Sequence, residues 1–165
     1  MDIAKEKERI YSRIGFSKKE TENIVNALNS VLANYQLFYQ KLRNFHWNVK
    51  GSSFFELHAL FENQYNEAQT TIDEIAERIR IFNHTPLSNY TDYLKLSTIK
   101  ESPDDLKSDE MIEVILEDYE TLISLINKAA NVAADETDSV TEDLLIGFIF
   151  SLEKTHWMLS SFKND

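Results

Sequence analysis

The sequence predicts an all-α protein built as a four-helix bundle, and two observations support this class. Its 165 residues include only three Gly and two Pro while 42% are hydrophobic, a composition that favours long uninterrupted helices. Apolar residues also recur every three to four positions in four long segments. The length suits one domain with a single core, which we expect to span residues 1–165, with 1–17 as a mobile N-terminal extension.

The four helices follow from the spacing of their apolar residues. Their approximate bounds are 18–49, 54–82, 109–134 and 140–162. Three predicted starts carry the capping-box pattern, in which a Ser hydroxyl accepts from a backbone N–H and a Glu three residues later bonds back. The pairs are Ser17 with Glu20, Ser53 with Glu56, and Ser139 with Glu142.

The connections between these helices predict the topology. A break at Gly51 and a short polar segment at 135–138 each join two helices, so each pair is expected to be antiparallel. Residues 83–108 contain both prolines, and we interpret them as a crossover with a short helix at about 88–96. Two antiparallel pairs joined by one long crossover have the connectivity of ferritin-like bundles.

Composition excludes several classes of function. The chain has no Cys, so it can form neither disulfides nor thiolate metal sites. We expect a soluble, cytoplasmic protein, because the N-terminus lacks an apolar signal-peptide core and the longest apolar run, 144–150, is too short to span a bilayer. A net charge of −11 disfavours simple nucleic-acid binding. It suits a cationic substrate, or it serves only solubility.

Histidines and carboxylates on the second predicted helix suggest a metal site. His58 and Glu62 are four residues apart, as are Asp73 and Glu77, so each pair lies on one helix face. Imidazole and carboxylate together bind first-row divalent metals. However, the nineteen residues from His58 to Glu77 cover roughly 28 Å of helix. One helix therefore cannot bring both pairs to one ion.

A twofold axis would resolve this separation. Both pairs are symmetric about a point between residues 67 and 68, so two antiparallel copies of the helix would place His58 opposite Glu77 and Glu62 opposite Asp73. His46, at the end of the preceding helix, could then join His58. Residues expected near the axis are Gln64, Ala68 and Thr71. The sequence thus predicts two identical metal sites between subunits.

Other interpretations of these residues stay open. Each pair alone is more often a solvated helix face. A conventional di-iron bundle requires two Glu-x-x-His motifs, and the sequence has one, at Glu153–His156. His84 is interpreted as a partner of a helix C-terminus. A metal-free helical oligomer with structural histidines is a further alternative.

Three motifs resemble the Dps family, the miniferritins also called DNA-binding proteins from starved cells. They are N-F-H-W-N-V-K-G from Asn44, F-x-x-L-H-x-x-F-E from Phe54, and D-E-I-A-E-R-I from Asp73. The resemblance extends over about residues 23–162. It implies a ferritin-like four-helix bundle assembled as a hollow dodecamer. Such a cage would oxidise Fe(II), preferably with hydrogen peroxide, store the ferric mineral and protect against oxidative damage.

The resemblance also assigns roles to individual residues. His46, His58 and Glu62 resemble one subunit's share of a ferroxidase site for up to two iron ions, and Asp73 and Glu77 resemble the share of the twofold-related subunit. The family commonly has Asp where this chain has Glu62, so the side chain here is longer by one methylene. Trp47 resembles a tryptophan that acts as an auxiliary electron donor or radical trap. It could instead be an ordinary packed interface aromatic.

The resemblance further implies acidic pores at the threefold axes. The candidates are Asp138, Glu142 and Asp143, although carboxylates at a helix N-terminus are also routine dipole partners.

DNA binding is expected to be weak or absent. The N-terminal residues 4–13 mix basic with acidic side chains rather than forming a Lys-rich tail, and the C-terminus is not basic. The alternative is a nucleoid-associated protein that coats DNA and binds metal incidentally.

Overall fold

The computed structural model describes residues 14–163, which form five helices and no strand. The helices are α1 (Lys18–Asn48), α2 (Phe54–Ile81), α3 (Tyr90–Leu96), α4 (Ser108–Asp135) and α5 (Ser139–Lys163). The predicted all-α class and the bounds of the helices are confirmed to within two residues. Most of the predicted N-terminal extension, residues 1–13, lies outside the described residues, so that part stays a prediction. Among the described helices, none is both long and apolar enough to cross a membrane.

One of the three predicted capping boxes is present, at the start of α1. Ser17 Oγ accepts from the backbone N–H of Glu20 at 3.3 Å, and Glu20 Oε2 accepts from the backbone of Ser17 at 2.6 Å. The prediction for Ser53 is wrong: its backbone is near-helical (φ −91°, ψ 16°) and its side chain makes no capping bond. At α5 the cap is Asp138 rather than Ser139, because Asp138 Oδ1 accepts from the backbone N–H of Thr141 at 3.1 Å.

The core lies between the two helix pairs. Extensive contacts join α1 to α2, α4 to α5 and α1 to α4, as expected for two antiparallel pairs joined by a crossover. Large side chains from α1, α2 and α4 fill the centre and are almost completely buried. They include Phe38, Phe45, Phe61, Ile75, Ile79 and Ile112. This packing holds α1 firmly against α2 and thereby fixes the end of the hairpin where the histidines lie.

One asparagine anchors the crossover to the bundle. Asn34 is fully buried on α1, and its Oδ1 accepts from the backbone N–H groups of Thr98 at 3.0 Å and Ile99 at 2.9 Å. The hydroxyls of Ser97 and Thr98 also donate to this oxygen at 3.0 Å. Because a buried backbone amide is costly without a partner, these bonds select one path for the crossover after α3.

A buried ion pair joins α1 to α4. Lys41 Nζ lies 2.7 Å from Asp118 Oδ2, and both side chains are at most 10% exposed. Burial raises the pKa of Asp118, and the positive charge and hydrogen bond of Lys41 oppose that rise. The pair therefore depends on both partners being present.

Candidate metal centre

His46 and His58 meet where α1 ends and α2 begins. Their rings stack with centroids 3.8 Å apart and planes inclined by 20°. His46 Nδ1 lies 2.7 Å from the backbone carbonyl oxygen of His58, and His58 Nδ1 lies 2.8 Å from that of His46. The ring of Phe54 stacks on the other side of His58 at 5.0 Å. Packing and two reciprocal hydrogen bonds thus fix both imidazoles.

These hydrogen bonds determine which nitrogen can bind a metal. A carbonyl oxygen can only accept, so each Nδ1 carries a proton, and in the neutral imidazole Nε2 is then the nitrogen with the lone pair. Metal-binding histidines are commonly oriented in this way by a carbonyl bonded to the other ring nitrogen. The donor chemistry therefore fits a first-row metal ion such as iron. The sequence predicts the pairing of the two histidines but contains no signal for the reciprocal bonds.

Glu62 and Tyr65 lie beside the histidines. Glu62 is exposed one turn after His58. Tyr65 OH donates to Glu62 Oε1 at 3.4 Å, and the Tyr65 ring meets His46 edge-to-face at 5.4 Å. Partial removal from water, followed by the charge and hydrogen bond of Glu62, raises the pKa of Tyr65. Tyr65 was not among the residues predicted for the site, although its position seven residues after His58 places it on the same helix face.

Asp73 and Glu77 are exposed farther along α2 and do not reach the histidines of their own chain. Within residues 14–163, no group of three or more His, Asp or Glu side chains is placed to hold a metal ion. One subunit thus brings His46 and His58 together, adds Glu62 nearby, and leaves Asp73 and Glu77 at the other end of the helix.

The residues proposed for the twofold axis need correction. Gln64 and Ala68 are buried in the core of their own subunit, at 4% and 3% exposure, so they cannot form a contact between subunits. Two of the five exposed residues between the ligand pairs, Asn66 and Gln69, are symmetric about the same point of the helix; the others are Asn63, Glu67 and Thr70. Thr71 is half-buried. The small or neutral side chains of Gln64 and Ala68 suggested a close contact at the axis, but both lie on the buried face of α2.

Trp47 follows His46 in the sequence and lies at the protein surface. Its side chain is 57% exposed, and the Arg43 guanidinium lies 4.8 Å from its ring centroid and 5.3 Å from that of Tyr39. Such stacking is the usual cation–π arrangement of an arginine between aromatic rings. The predicted role of Trp47 in electron transfer stays a prediction.

The three pore candidates occupy different environments at the start of α5. Asp138 is buried, and its two carboxylate oxygens lie 2.9 and 3.1 Å from Arg78 Nη2. Arg78 Nε also donates to Thr141 Oγ1 at 2.7 Å, which ties α2 to α5. Glu142 is half-buried and Asp143 is exposed. The geometry makes Asp138 a fixed element of this corner, and the pore role of all three stays a prediction.

The two remaining histidines have other neighbours. His156 Nε2 lies 3.4 Å from Glu120 Oε1, and His84 Nε2 lies 3.3 Å from Thr21 Oγ1. Within residues 14–163, no hydrogen bond or ring contact joins either of them to His46 or His58.

Comparison with known proteins agrees with this fold. The family model of the ferritin-like domain matches residues 25–165. DNA protection during starvation protein 2 of Bacillus anthracis is 40% identical over 144 residues, which cover 87% of this chain and 99% of that protein. The structure of a Dps protein from Vibrio cholerae O1 has a TM-score of 0.88 and 36% identity, covering 90% of this chain and 94% of that one. Dps from Staphylococcus aureus has a TM-score of 0.82 and 38% identity, covering 85% and 94%.

The helical bundle and the ferritin-like domain match define the class as ferritin-like. Within this class, the chain belongs to the Dps family. The Vibrio cholerae protein is described as a member of a broad superfamily of ferritin-like diiron-carboxylate proteins. At the level of the family, these findings support a protective, iron-storing miniferritin.

Proposed function

We propose that this protein is a cytoplasmic ferroxidase that oxidises Fe(II) at sites shared between two subunits. Hydrogen peroxide is the preferred oxidant, and the ferric product is stored as mineral inside a hollow dodecamer. The family membership supports the cage and its cargo. The oxidant, the site residues and the number of subunits are parts of the proposal.

The oriented histidine pair is the observation that carries this proposal. His46 and His58 each have an Nε2 free to bind a cation, and both rings are fixed before any ion arrives. Asp73 and Glu77 are exposed on the same helix as His58. The farther of the two, Glu77, lies roughly 28 Å along the helix from His58. A twofold axis through the middle of α2 would bring these carboxylates to the histidines of a second subunit.

Each proposed ligand contributes a distinct property. The imidazoles bind Fe(II), whereas the carboxylates of Glu62, Asp73 and Glu77 favour the more highly charged Fe(III) product. Two Fe(II) ions would supply the two electrons that reduce one hydrogen peroxide, with two protons, to two water molecules. This stoichiometry releases no hydroxyl radical. The side chain of Glu62 is one methylene longer than that of Asp, so its carboxylate would reach farther from the helix toward a bound ion.

Iron would enter through acidic pores near the start of α5. The charged hydrogen bonds from Arg78 Nη2 to both carboxylate oxygens of Asp138 fix this helix start. Glu142 and Asp143 are the more accessible carboxylates there and would raise the local concentration of cations. In this proposal Asp138 contributes chiefly by holding the neighbouring residues in position.

Complementation between two inactive variants would test whether the site is shared. One variant carries His46→Ala and His58→Ala, and the other carries Asp73→Asn and Glu77→Gln. If equal amounts of the two variants are refolded together and pair at random, half of the twofold pairs would contain one copy of each variant. Each such pair would contain one intact site. We therefore expect about a quarter of the wild-type rate of peroxide-dependent Fe(II) oxidation to return.

The appropriate control is each variant refolded alone under identical conditions, with shell formation checked by light scattering. If the mixture is no more active than the separate variants while mixed shells form, the shared site is wrong. If the wild-type cage itself fails to oxidise Fe(II), the proposed function is wrong.

DNA coating is the second candidate function, favoured by the relatives named for DNA protection during starvation. Twelve subunits of charge −11 would carry a formal charge on the order of −130, which repels phosphate. We expect no shift of duplex DNA in a native gel at low salt without magnesium. A stable complex under these conditions, lost at higher salt, would favour the DNA-coating function instead.

A further inference from the structure

A groove separates α2 from α5 on one side of the bundle. Within residues 14–163, the backbones of these two helices make few close contacts, whereas α1 and α2, α4 and α5, and α1 and α4 pack closely. Two adjacent cavities, of about 350 and 580 Å³, lie between α2 and α5 and share four lining residues. These are Gln64, Glu67, Ser151 and Thr155. We call this space the α2–α5 groove.

The side chain of Gln64 has no partner in this groove. It is only 4% exposed, yet neither its Oε1 nor its Nε2 forms a hydrogen bond within the described residues. Its neighbours are mainly acceptors. Thr155 Oγ1 already donates to the backbone carbonyl of Ser151 at 3.0 Å, so this hydroxyl can only accept further bonds, as can the carboxylate of Glu67. Because a buried polar group without a partner is unfavourable, these residues favour a ligand that donates hydrogen bonds.

The charge of the groove favours a cation. Glu56, Glu67 and Glu74 lie along its α2 side, and Lys154 is the basic residue of its lining, on α5. In the described part of the chain, none of these glutamates forms an ion pair. An ammonium group carries three donors and no acceptor, so it can pair with a carboxylate and also donate to Gln64 Oε1.

Apolar surface separates the carboxylates. Glu67 and Glu74 are seven residues apart, roughly 10.5 Å along the helix, and Glu56 and Glu67 are eleven apart, roughly 16.5 Å. The groove between Glu56 and Glu67 is lined by Leu57, Leu60, Met158, Leu159 and Phe162. A ligand that matches this lining alternates positive charges with apolar segments. A metal ion could use the carboxylates but not the apolar surface.

We propose that the α2–α5 groove binds a linear aliphatic polyamine. Its ammonium groups pair with Glu67 and Glu74, and one of them donates to Gln64 Oε1. Its methylene chain covers Leu57 and Leu60 and removes apolar surface from water. This inference goes beyond the proposed function and does not depend on it, because neither iron nor the histidine pair takes part.

Spermine is the probe for this site. It is titrated into the assembled, metal-free cage by isothermal calorimetry at physiological salt, which screens the general attraction of an acidic shell for polycations. We expect saturable binding of one spermine per subunit. Hexaamminecobalt(III), a compact trication without methylene groups, tests for charge alone and should displace spermine only weakly.

Two double variants separate the groove from the overall charge. Glu67→Gln with Glu74→Gln removes two carboxylates from the groove, whereas Asp104→Asn with Asp105→Asn removes the same charge from exposed positions in the crossover. We expect the first double variant to bind spermine about tenfold more weakly than the wild type and the second to differ by less than about twofold. Light scattering checks that each variant forms the same shell.

Gln64→Leu tests the buried amide. Leucine is similar in size, so the substitution removes the acceptor without opening a cavity, and spermine affinity should fall several-fold. The urea midpoint of the metal-free variant should be no lower than that of the wild type, because this amide has no hydrogen bond within the described residues to lose. Glu67 and Glu74 are exposed, so their variant tests the groove even if Gln64→Leu assembles poorly.

Four outcomes would overturn the inference. They are no saturable binding to the wild type, equal loss of affinity in the two double variants, unchanged affinity in an assembled Gln64→Leu cage, and complete displacement of spermine by hexaamminecobalt(III) at equal charge. The second and fourth would show only diffuse attraction to the acidic shell. Because no iron is present, these outcomes leave the proposed ferroxidase untouched, and a cage that fails to oxidise iron would leave the polyamine site untouched.

Discussion

Replacing both His46 and His58 with alanine is expected to slow peroxide-dependent oxidation of Fe(II) by at least about 100-fold, since loss of groups that merely orient metal ligands already costs 10–100-fold. The substitution removes both available Nε2 atoms together with the two bonds from Nδ1 to the backbone carbonyls. Stopped-flow absorbance of the ferric product measures the rate, and a metal-binding titration measures the accompanying loss of Fe(II) affinity.

His156→Ala provides the matched control for this experiment. This histidine interacts with Glu120 and is not a proposed ligand, so its variant should oxidise iron at the wild-type rate. Light scattering should show the same shell for all variants. Wild-type rates in the double variant, with the shell intact, would rule out the histidine pair as the ferroxidase centre.

Lys41→Met is expected to destabilise the subunit by about 3–5 kcal/mol, because it leaves the carboxylate of Asp118 buried without its partner. The methionine is close to lysine in length and fills the same space, so loss of packing contributes little. Urea denaturation at pH 7, at a fixed subunit concentration, measures the effect as a lower midpoint. The fixed concentration is needed because association of subunits adds to apparent stability.

The double variant Lys41→Met, Asp118→Leu is the control for the charge effect. It replaces the whole ion pair with apolar groups, and we expect most of the lost stability to return, since buried pairs are often replaced in this way at little cost. If the single variant is as stable as the wild type, or the double variant is no better than the single, the account of this pair is wrong.

The pH dependence of the Lys41→Met variant follows from the same pair. Burial raises the folded-state pKa of Asp118, and removal of Lys41 removes the main influence that lowers it. The folded state then holds a proton that the unfolded state releases, so protonation stabilises the fold. The loss of stability caused by Lys41→Met should be greatest above the folded-state pKa of Asp118 and should decrease as the pH falls below it.

The helices could be predicted from sequence because their periodicity extends over 25 residues or more in each long helix. Helix caps and the path of the crossover were harder to predict from the sequence. Ser53 has the right sequence for a cap, yet the turn after Gly51 places its backbone in a conformation that cannot cap α2. The path of the crossover was not predictable either, because it depends on four bonds to Asn34 from residues more than sixty positions away.

The position of His58, Glu62, Asp73 and Glu77 along α2 was predictable from the sequence, but the orientation of the histidine rings was not. The spacing of His58, Glu62, Asp73 and Glu77 is visible in the sequence because a regular helix converts spacing into position. The proton positions on the histidines depend on how α1 packs against α2, which no local pattern encodes. The burial of Gln64 and Ala68 was predictable, since both fall on the apolar stripe of α2 that contains Phe61 and Ile75.

Separation of the proposed ligands between the two ends of α2 would have a consequence for newly made chains. A newly made subunit would carry the oriented histidine nitrogens at one end of α2 and the carboxylates of Asp73 and Glu77 toward the other. Neither group of ligands alone would suffice to oxidise iron. Competence would arise only when a second copy docks, at the moment when an enclosing wall begins to form around the future mineral. Iron oxidation would thus require assembly of subunits, and unassembled chains would not catalyse it.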